Sequence, residues 1–306
     1  MQRYLILRTA QALVALWVIT VVVFGLSRVS GDPLDTFLPL EATPDDVERM
    51  RIRWGLDKPV AVQYGVFLGN ALKGDLGDSL KFPGAGAGNL VMQRMPATLK
   101  LAGISMAIAL LIALPVGVLS AVKKDTIFDF VGKTMALAGQ SVPSFWLGII
   151  LMWVFAVYLG LLPTSGQGGV KHIILPAITL GWFQTAAIMR LVRSSMLSVQ
   201  DSEYVKLARI KGVSEMSVVW KHCFRNAAIP PLTYFGIILA NTLTGSLTTE
   251  VVFNWPGTGL LAFQAVMYRD TQLIQAIVLV FASMFIFLTL LVDVLYAYLD
   301  PRIRYN

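Results

Sequence analysis

The sequence predicts an all-α membrane protein with six transmembrane helices. Hydrophobic residues make up 56% of the 306 residues and charged residues only 14%, and the mean hydropathy is +0.68. Because soluble domains are about 25% charged, this composition indicates a chain that lies largely in a lipid bilayer. A bilayer core about 30 Å thick is crossed by roughly 20 apolar residues in a helix, and six segments meet that requirement.

The six apolar segments cover approximately residues 9–27, 97–122, 131–161, 173–194, 230–252 and 272–298. The third contains Pro143. Because proline interrupts the helical hydrogen-bond ladder, we expect the part of this segment up to Pro143 to be either a bent or an interfacial piece.

The first segment has a rival interpretation as a cleaved signal peptide, because Arg3 and Arg8 precede its apolar run. The run from Ala10 to Leu26 is longer than the apolar region of a usual signal peptide, and no convincing cleavage motif follows it. An uncleaved membrane anchor is therefore the favoured interpretation.

The distribution of Lys and Arg predicts that both termini are cytoplasmic, since short cytoplasmic loops are enriched in these residues. In this orientation the short outer loops carry only Lys171 and Arg269. The predicted organisation is an N-terminal transmembrane helix at 1–28, an extracytoplasmic loop region at 29–96, a core transmembrane domain at 97–298 with a polar cytoplasmic loop at 195–229, and a cytoplasmic tail at 299–306.

Composition and spacing exclude several functions. The isoelectric point is near 9.5, but the basic residues flank apolar runs rather than forming aromatic-interleaved patches, so nucleic-acid binding is not indicated. Cys223 is the single cysteine, and with His172 and His222 it lacks metal-site spacing. No Walker A motif and no paired carboxylates in one span are present. The sequence predicts no catalytic, cofactor-binding or metal site, and no enzyme.

The polar loop contains two predicted helices. The first begins near Glu203, with Asp201 or Ser202 as its cap, and stops at Gly212, because glycine tolerates the positive φ of a helix C-terminus. The second covers about Ser214–Asn226 and ends just before the next span.

These loop residues match a known family. The pattern Glu203-Tyr-Val-x-x-Ala-Arg-x-Lys-Gly212, followed by His222-x-x-Arg225-Asn226, resembles the cytoplasmic "EAA" loop of ABC importer permeases of the dipeptide, oligopeptide and nickel subfamily. Further matching motifs begin, in order, at Gly31, Leu56, Lys73, Ser141, Leu162, His172, Arg190, Val252, Arg269, Val292 and Asp300, and those at Leu56 and Lys73 match the outer loop of the B-type permease. Their shared order and spacing cover nearly the whole chain, which is identified as a member of the B-type permeases of this subfamily.

The resemblance implies a type I ABC importer permease fold, in which the loop helix docks into a groove of a cytoplasmic ATPase. ATPase closure then moves the attached membrane helices. The residues implied for the ATPase-coupling loop are Glu203, Tyr204, Ala208, Arg209, Lys211, Gly212, His222, Arg225 and Asn226. The alternative is a solvated loop whose charges only determine the topology.

The resemblance also implies partners: a homologous C-type permease subunit, two cytoplasmic ATPase subunits or domains that bind ATP and Mg²⁺, an extracytoplasmic solute-binding protein and the lipid bilayer of a bacterial or archaeal cell. Together these import short peptides. Importers of nickel, glutathione and haem-type solutes share this architecture and are alternatives. A secondary transporter is a further alternative, although the chain shows no convincing repeats or midplane ion-coupling groups.

The fifth apolar segment is unusually polar, which suits a helix that lines a wet pathway. The candidate translocation-path residues are Asn241, Thr242, Thr244, Ser246 and Glu250. Hydrogen bonding between helices is an equally open interpretation of the polar residues among them, and capping of the adjacent loop is the alternative for Glu250.

Other ionisable residues also lie at or near spans. We expect Asp293 to pair with a nearby basic residue, and Arg190 and Arg193 to extend to the inner interface and support the loop.

The outer region is expected to help receive the solute-binding protein. Its Gly-rich end at 83–89 resembles a phosphate-binding loop only superficially, because no Lys-Ser/Thr follows it and no strand precedes it. A flexible spacer is the favoured interpretation.

Overall fold

The computed structural model describes residues 2–29, 43–53 and 55–299. This part of the chain forms two compact units, one from Met1–Pro96 with Gly257–Asn306 and the other from Ala97–Pro256. The motifs that begin at Gly31 and Asp300, and the predicted tail beyond Leu299, lie outside the described residues.

The helices are α1 Gln2–Val29, α2 Pro44–Arg53, α3 Val60–Leu72, α4 Ala87–Val122, α5 Ile127–Ser141, α6 Ser144–Leu151, α7 Val170–Gln200, α8 Glu203–Ile210, α9 Glu215–Ser217, α10 Arg225–Ala227, α11 Ile229–Val252, α12 Thr258–Met267 and α13 Thr271–Leu299. Two π-helical segments, Met152–Tyr158 and Val218–Phe224, continue α6 and α9. Within the described ranges the only β-type pairing is an isolated bridge between Asp78 and Gly86.

Four of the predicted spans are continuous helices long and apolar enough to cross a membrane: α1, α4, α7 and α13. A fifth is the pair formed by α5 and the helix that follows it, Ser144–Tyr158, which meet at an angle of 105°. In α11 the described apolar stretch is Ile229–Leu239. Over the described residues, length and composition therefore support four spans, or five with the bent pair, and the count of six stays a prediction.

The predicted break in the third span is confirmed. Val142 has extended backbone angles and Pro143 is the N-cap of α6. Proline disfavours helical angles in the residue before it and lacks the N–H that would continue the ladder. The helix therefore stops where the sequence predicted and restarts in a new direction.

The region predicted as a long outer loop contains two helices, α2 and α3. The prediction of a flexible spacer at 83–89 is wrong, because this stretch is the end of a hydrogen-bonded turn at 77–87 and the start of α4. Ser79 donates its N–H to the Ala85 carbonyl at 3.0 Å, and Ala87 donates to the Gly77 carbonyl at 2.7 Å. The buried Asp270 carboxylate holds the turn by accepting hydrogen bonds from Ser79 Oγ at 2.6 Å and Lys81 N at 3.1 Å.

In the first unit α1 packs against α13. Arg8 of α1 and Asp293 of α13 form an ion pair, with Nη1 and Oδ2 3.4 Å apart. The expectation that Asp293 pairs with a basic residue is thus confirmed. A separate apolar cluster joins the start of α4 to α12 and α13, with Ala87, Val91, Met95, Leu261, Ala265, Leu273, Ala276 and Ile277 buried.

In the second unit α7 is the central helix, and it packs against α5, α6 and α11. In the most apolar part of α7, 72% of the residues are buried. The corresponding fraction in α1 is 11%. Small residues permit the closest approach: a Cβ placed on Gly139 of α5 would lie 2.5 Å from the Cβ of Ala186. The helix that leads directly into the polar loop is therefore the most buried of the four continuous spans.

Candidate functional site

The polar loop is built on the end of α7. The chain turns through Asp201 and Ser202, and α8 begins at Glu203 as predicted. Ser202 is the N-cap residue, one of the two predicted, but its side chain makes no cap bond to α8, because its Oγ donates to the Val199 carbonyl at 2.6 Å. The turn is therefore tied back onto α7 rather than onto α8.

Gly212 ends α8 as predicted, with φ +78°. Its N–H donates to the Arg209 carbonyl at 3.0 Å, and Val213 donates to the Ala208 carbonyl at 3.2 Å. These bonds satisfy carbonyls at the helix C-terminus, in a conformation that side chains with a Cβ adopt only at a cost. The glycine thus redirects the chain sharply into the second helical segment.

The second segment is helical from Glu215 to Ala227, close to the predicted Ser214–Asn226. Its middle, Val218–Phe224, is π-helical, which the sequence did not indicate. The rings of Trp220 and Phe224 pack edge to face, with centroids 5.3 Å apart. A π-helical turn widens the helix locally, and such turns are frequent at functional sites.

One side of the loop is attached to the bundle. Val205 and Ala208 of α8 are buried with Val218, Val219 and Cys223 of the second segment. The cluster that contains them also includes Val192 and Met196 of α7. Burial raises the pKa of the Cys223 thiol. The loop is therefore a packed extension of the bundle rather than a solvated connector.

The opposite side of the loop exposes apolar residues. We define the loop surface as Tyr204, Leu207, Ile210, Met216 and Trp220, of which Ile210 is 82% exposed. Two ion pairs accompany this surface: Lys206 Nζ lies 2.8 Å from Glu203 Oε1, and Arg209 Nε lies 2.9 Å from Glu215 Oε1. The pairing raises the pKa of Lys206. Exposed apolar residues with charged neighbours are the usual composition of a protein contact.

Three residues of the predicted coupling set meet directly. Asn226 Nδ2 donates to Tyr204 Oη at 2.9 Å and to the His222 carbonyl at 3.2 Å, and the Tyr204 hydroxyl lies 3.4 Å from the same carbonyl. These bonds join α8 to the second segment. Of the rest of the set, Ala208 is buried, whereas Lys211 and Arg225 are exposed. The sequence predicted the membership of this group but not its mutual bonds.

A buried ion cluster stands between the loop and the core, and sequence reasoning missed it. Asp129 of α5 is fully buried and accepts hydrogen bonds from Arg193 Nε at 2.6 Å and Nη2 at 2.9 Å. Ser120 Oγ donates to it at 2.6 Å, and Lys133 Nζ lies 2.8 Å away. The i, i+4 spacing of Asp129 and Lys133 was the available signal.

The guanidinium of Arg193 is thus held by the buried carboxylate, and its expected position at the membrane interface stays a prediction. Arg190 is exposed, and its Nη1 donates to Gln140 Oε1 at 2.9 Å. Both arginines join α7 to α5. They support the loop by holding the helix on which it is built.

The candidate path residues are mostly engaged inside the second unit. Glu250 and Ser246 are fully buried; Thr98 and Ser246 donate to Glu250 Oε1 at 2.8 and 2.9 Å. Thr242, also buried, accepts a hydrogen bond from Gln184 at 3.2 Å. Glu250 and Thr242 thus bond to residues of other helices, whereas Ser246 bonds to Glu250 within α11. Asn241 is exposed, and the side chain of Thr244 lies outside the described residues.

Two family models together match most of the chain. Residues 113–305 match the model described as binding-protein-dependent transport system inner membrane component. Residues 1–102 match the corresponding model of the N-terminal region.

Curated relatives match over nearly their full length. The dipeptide transport system permease protein DppB of Alkalihalophilus pseudofirmus is 36% identical, over 94% of each chain. The glutathione transport system permease protein GsiC of Pectobacterium atrosepticum is 41% identical, over 100% of each chain. The oligopeptide transport system permease protein AppB of Bacillus subtilis is 36% identical, over 100% of each chain.

Solved structures share the fold at low identity. A chain of the MetNI methionine ABC transporter in an inward-facing conformation superposes with a TM-score of 0.59 at 18% identity, covering 69% of this chain and 96% of that one. A chain of an amino acid ABC transporter crystallised with histidines gives a TM-score of 0.55 at 15% identity, covering 68% and 94%. These likenesses establish the ABC importer permease fold.

Proposed function

The chain belongs to the family of inner-membrane components of binding-protein-dependent transport systems, and on that premise we propose that it is one of two permease subunits of an ATP-driven importer of short peptides. The observation that carries the proposal is the geometry of the polar loop: a short helix ended by Gly212, packed onto the largely buried helix α7, with an exposed apolar surface. Such a loop can transmit force from a docked partner to the membrane helices.

In the proposed mechanism a cytoplasmic ATPase binds the loop surface, and its closure on ATP and Mg²⁺ displaces α8. The displacement passes to α7 through the apolar contacts of Val205 and Ala208, and from α7 to α5 through the pairing of Arg193 with Asp129. ATP hydrolysis takes place in the partner, because this chain is a permease subunit. Alternating exposure of a cavity between two homologous permeases then moves the solute.

Short peptides are the proposed solute because relatives are named as dipeptide and oligopeptide permeases. Glutathione, for which another relative is named, is itself a tripeptide and falls within the same chemical class. None of these three relatives is named for nickel, for a haem-type solute or for secondary transport. A solute-binding protein delivers the peptide to the outer side, where the ordered turn at 77–87 and helix α2 offer contact surface.

The proposed location is the cell membrane of a bacterium or archaeon, with both termini cytoplasmic. This orientation puts the loop surface on the side where ATP is available. It rests on the distribution of Lys and Arg.

A comparison of three forms of the chain tests the coupling mechanism. Tagged wild type is expected to co-purify from membranes with an ATPase and a second permease, and the complex to hydrolyse ATP. Gly212→Pro is expected to lose the ATPase or its stimulation, because proline cannot adopt φ +78°. Gly212→Asn is the matched control, since asparagine tolerates positive φ. A wild-type chain that purifies alone, or three forms that behave alike, would refute the mechanism.

The solute is tested separately by uptake of labelled dipeptides and tripeptides into vesicles that contain the complex and its binding protein. ATP-dependent uptake that persists when ionophores collapse the ion gradients is expected. Uptake that needs no ATP and is abolished by ionophores would contradict the importer proposal.

A further inference from the structure

Helix α3 (Val60–Leu72) is apolar, yet none of its described residues is buried. It carries no charged residue. Val62, Val66 and Leu72 expose 46%, 55% and 82% of their surface. Apolar surface in this amount is unfavourable in water, so another apolar medium must cover it.

Apolar side chains cover most of the helix surface. Val62, Val66 and Gly69 follow one another at the i, i+4 and i+7 positions of one face. Gln63 and Asn70 flank Val66 at the i−3 and i+4 positions, and all three line a cavity within the first unit. The polar side chains Gln63 and Asn70 therefore lie toward this cavity, at the edge of the exposed apolar stripe.

The helix is anchored to the side of a membrane-spanning helix. The hydroxyls of Tyr64 and Thr20 of α1 are 2.8 Å apart. Phe24 of α1 packs against both Tyr64 and Phe67, each with ring centroids 5.5 Å away. Among the described side chains of α1, Val23 and Phe24 are the two that are buried, and both lie in this region of contact.

The position of these contacts along α1 gives the depth of α3. The apolar stretch of α1 that can span a membrane ends at Arg28. Thr20 lies eight residues earlier, which at 1.5 Å per residue is about 12 Å inside that end. Because half of the hydrocarbon core is about 15 Å thick, the Tyr64 hydroxyl lies at the depth of the acyl chains.

The length and flanks of α3 fit a leaflet rather than a span. Its 13 residues extend about 20 Å, which is too short to cross a core of about 30 Å. The exposed residues Lys58 and Lys73 precede and follow it, and lysines at such positions place their ammonium groups among phospholipid headgroups. Gln63 Nε2 donates to the carbonyls of Leu56 and Lys58 at 3.1 and 2.7 Å, which satisfies the polar turn at the helix start.

We propose that α3 is a membrane-embedded interfacial helix, which lies in the lipid leaflet at which α1 ends. Val62, Val66 and Leu72 contact acyl chains, and Lys58 and Lys73 contact phosphate headgroups. The stripe thereby continues the lipid-facing surface of α1. In the most apolar part of α1 only 11% of the residues are buried within the protein. This leaves α2 and the turn at 77–87, and not α3, for a solute-binding protein.

Spin-label accessibility in the full chain tests the proposal, with the complex reconstituted in nanodiscs of phosphatidylethanolamine and phosphatidylglycerol. Labels are placed singly at Val62→Cys and Val66→Cys in a Cys223→Ala background. Val18→Cys, an exposed position in the span of α1, is the lipid reference, and Glu48→Cys, an exposed position on α2, is the water reference. Collision rates with oxygen, which concentrates in lipid, and with a water-soluble nickel chelate are measured for each label.

Both stripe labels are expected to match the Val18 label, with high oxygen accessibility and a loss of nickel accessibility relative to the Glu48 label. Nickel accessibility equal to that of the Glu48 label would place α3 in water and overturn the proposal. Labels shielded from both reagents would show that a protein subunit covers the stripe, which would overturn it equally. Because the two positions are scored independently, a local disturbance at one of them does not decide the result.

Discussion

Replacing Asp129 by asparagine keeps the size of the side chain and removes the negative charge of the buried ion cluster. The carboxylate is fully buried and receives two hydrogen bonds from Arg193, at 2.6 and 2.9 Å. Removal of one partner of a buried pair leaves an uncompensated charge and costs about 3–5 kcal/mol. The Arg193 side chain is 21% exposed, so some water remains available to it, and we expect a value near the lower limit, about 3 kcal/mol.

Lys133 adds little to this cost. Its side chain is 50% exposed, and ion pairs open to solvent contribute about 0–1 kcal/mol. The free energy of unfolding in detergent micelles, from a denaturant titration of the purified chain, measures the total. Beyond stability, loosening α5 from α7 is expected to lower the ATPase stimulation of the assembled complex.

Asp125→Asn is the matched control, because it makes the same chemical change four residues away. Asp125 is 74% exposed and lies 3.9 Å from Lys133, and asparagine tolerates its φ of 60°. We expect a loss below about 1 kcal/mol. The double variant Asp129→Asn, Arg193→Gln removes both charges and is expected to recover much of the lost stability. Equal losses for Asp129→Asn and Asp125→Asn would refute the reasoning.

Three further predictions concern packing, reactivity and docking. Gly139→Ala is expected to cost about 1–3 kcal/mol of unfolding free energy, because the new methyl would overlap Ala186; Gly103→Ala, with nothing within 4 Å, is the control and should be neutral or stabilising. The buried Cys223 thiol, with its raised pKa, is expected to resist iodoacetamide at pH 8 in the folded chain and to react after denaturation; equal rates would contradict its burial. Ile210→Asp is expected to weaken ATPase binding roughly tenfold in a pull-down titration, whereas Ile210→Leu retains it; unchanged binding by the aspartate variant would place the contact elsewhere.

Features that depend on neighbours in sequence were predictable. Apolar segments of sufficient length located the membrane helices, Pro143 located the break in the third span, and Gly212 located the end of α8. In each case the cause is local: the length of an apolar run, a missing N–H, or a backbone angle that favours glycine. The order of motifs along the chain likewise identified the family.

Features that depend on which helices meet were not predictable. The same polar residues in α11 were equally compatible with a pathway and with hydrogen bonds between helices, and only packing showed Glu250 in contact with Thr98, 152 residues away. The stretch at 83–89 looked flexible in the sequence because the turn at 77–87, to which it belongs, is held at Ser79 and Lys81 by Asp270, which lies far along the chain.

The sequence by itself thus determined that this is a helical membrane permease whose polar loop contains a helix ended by glycine, because composition, the order of the family motifs and local backbone chemistry can be read directly from the chain. Tertiary structure alone decided that Arg193 is held by Asp129, and that α3 lies against α1. The physical reason is that a charge or an apolar stripe is satisfied by whichever partner the fold brings within a few ångströms, and separation in sequence carries no information about that distance.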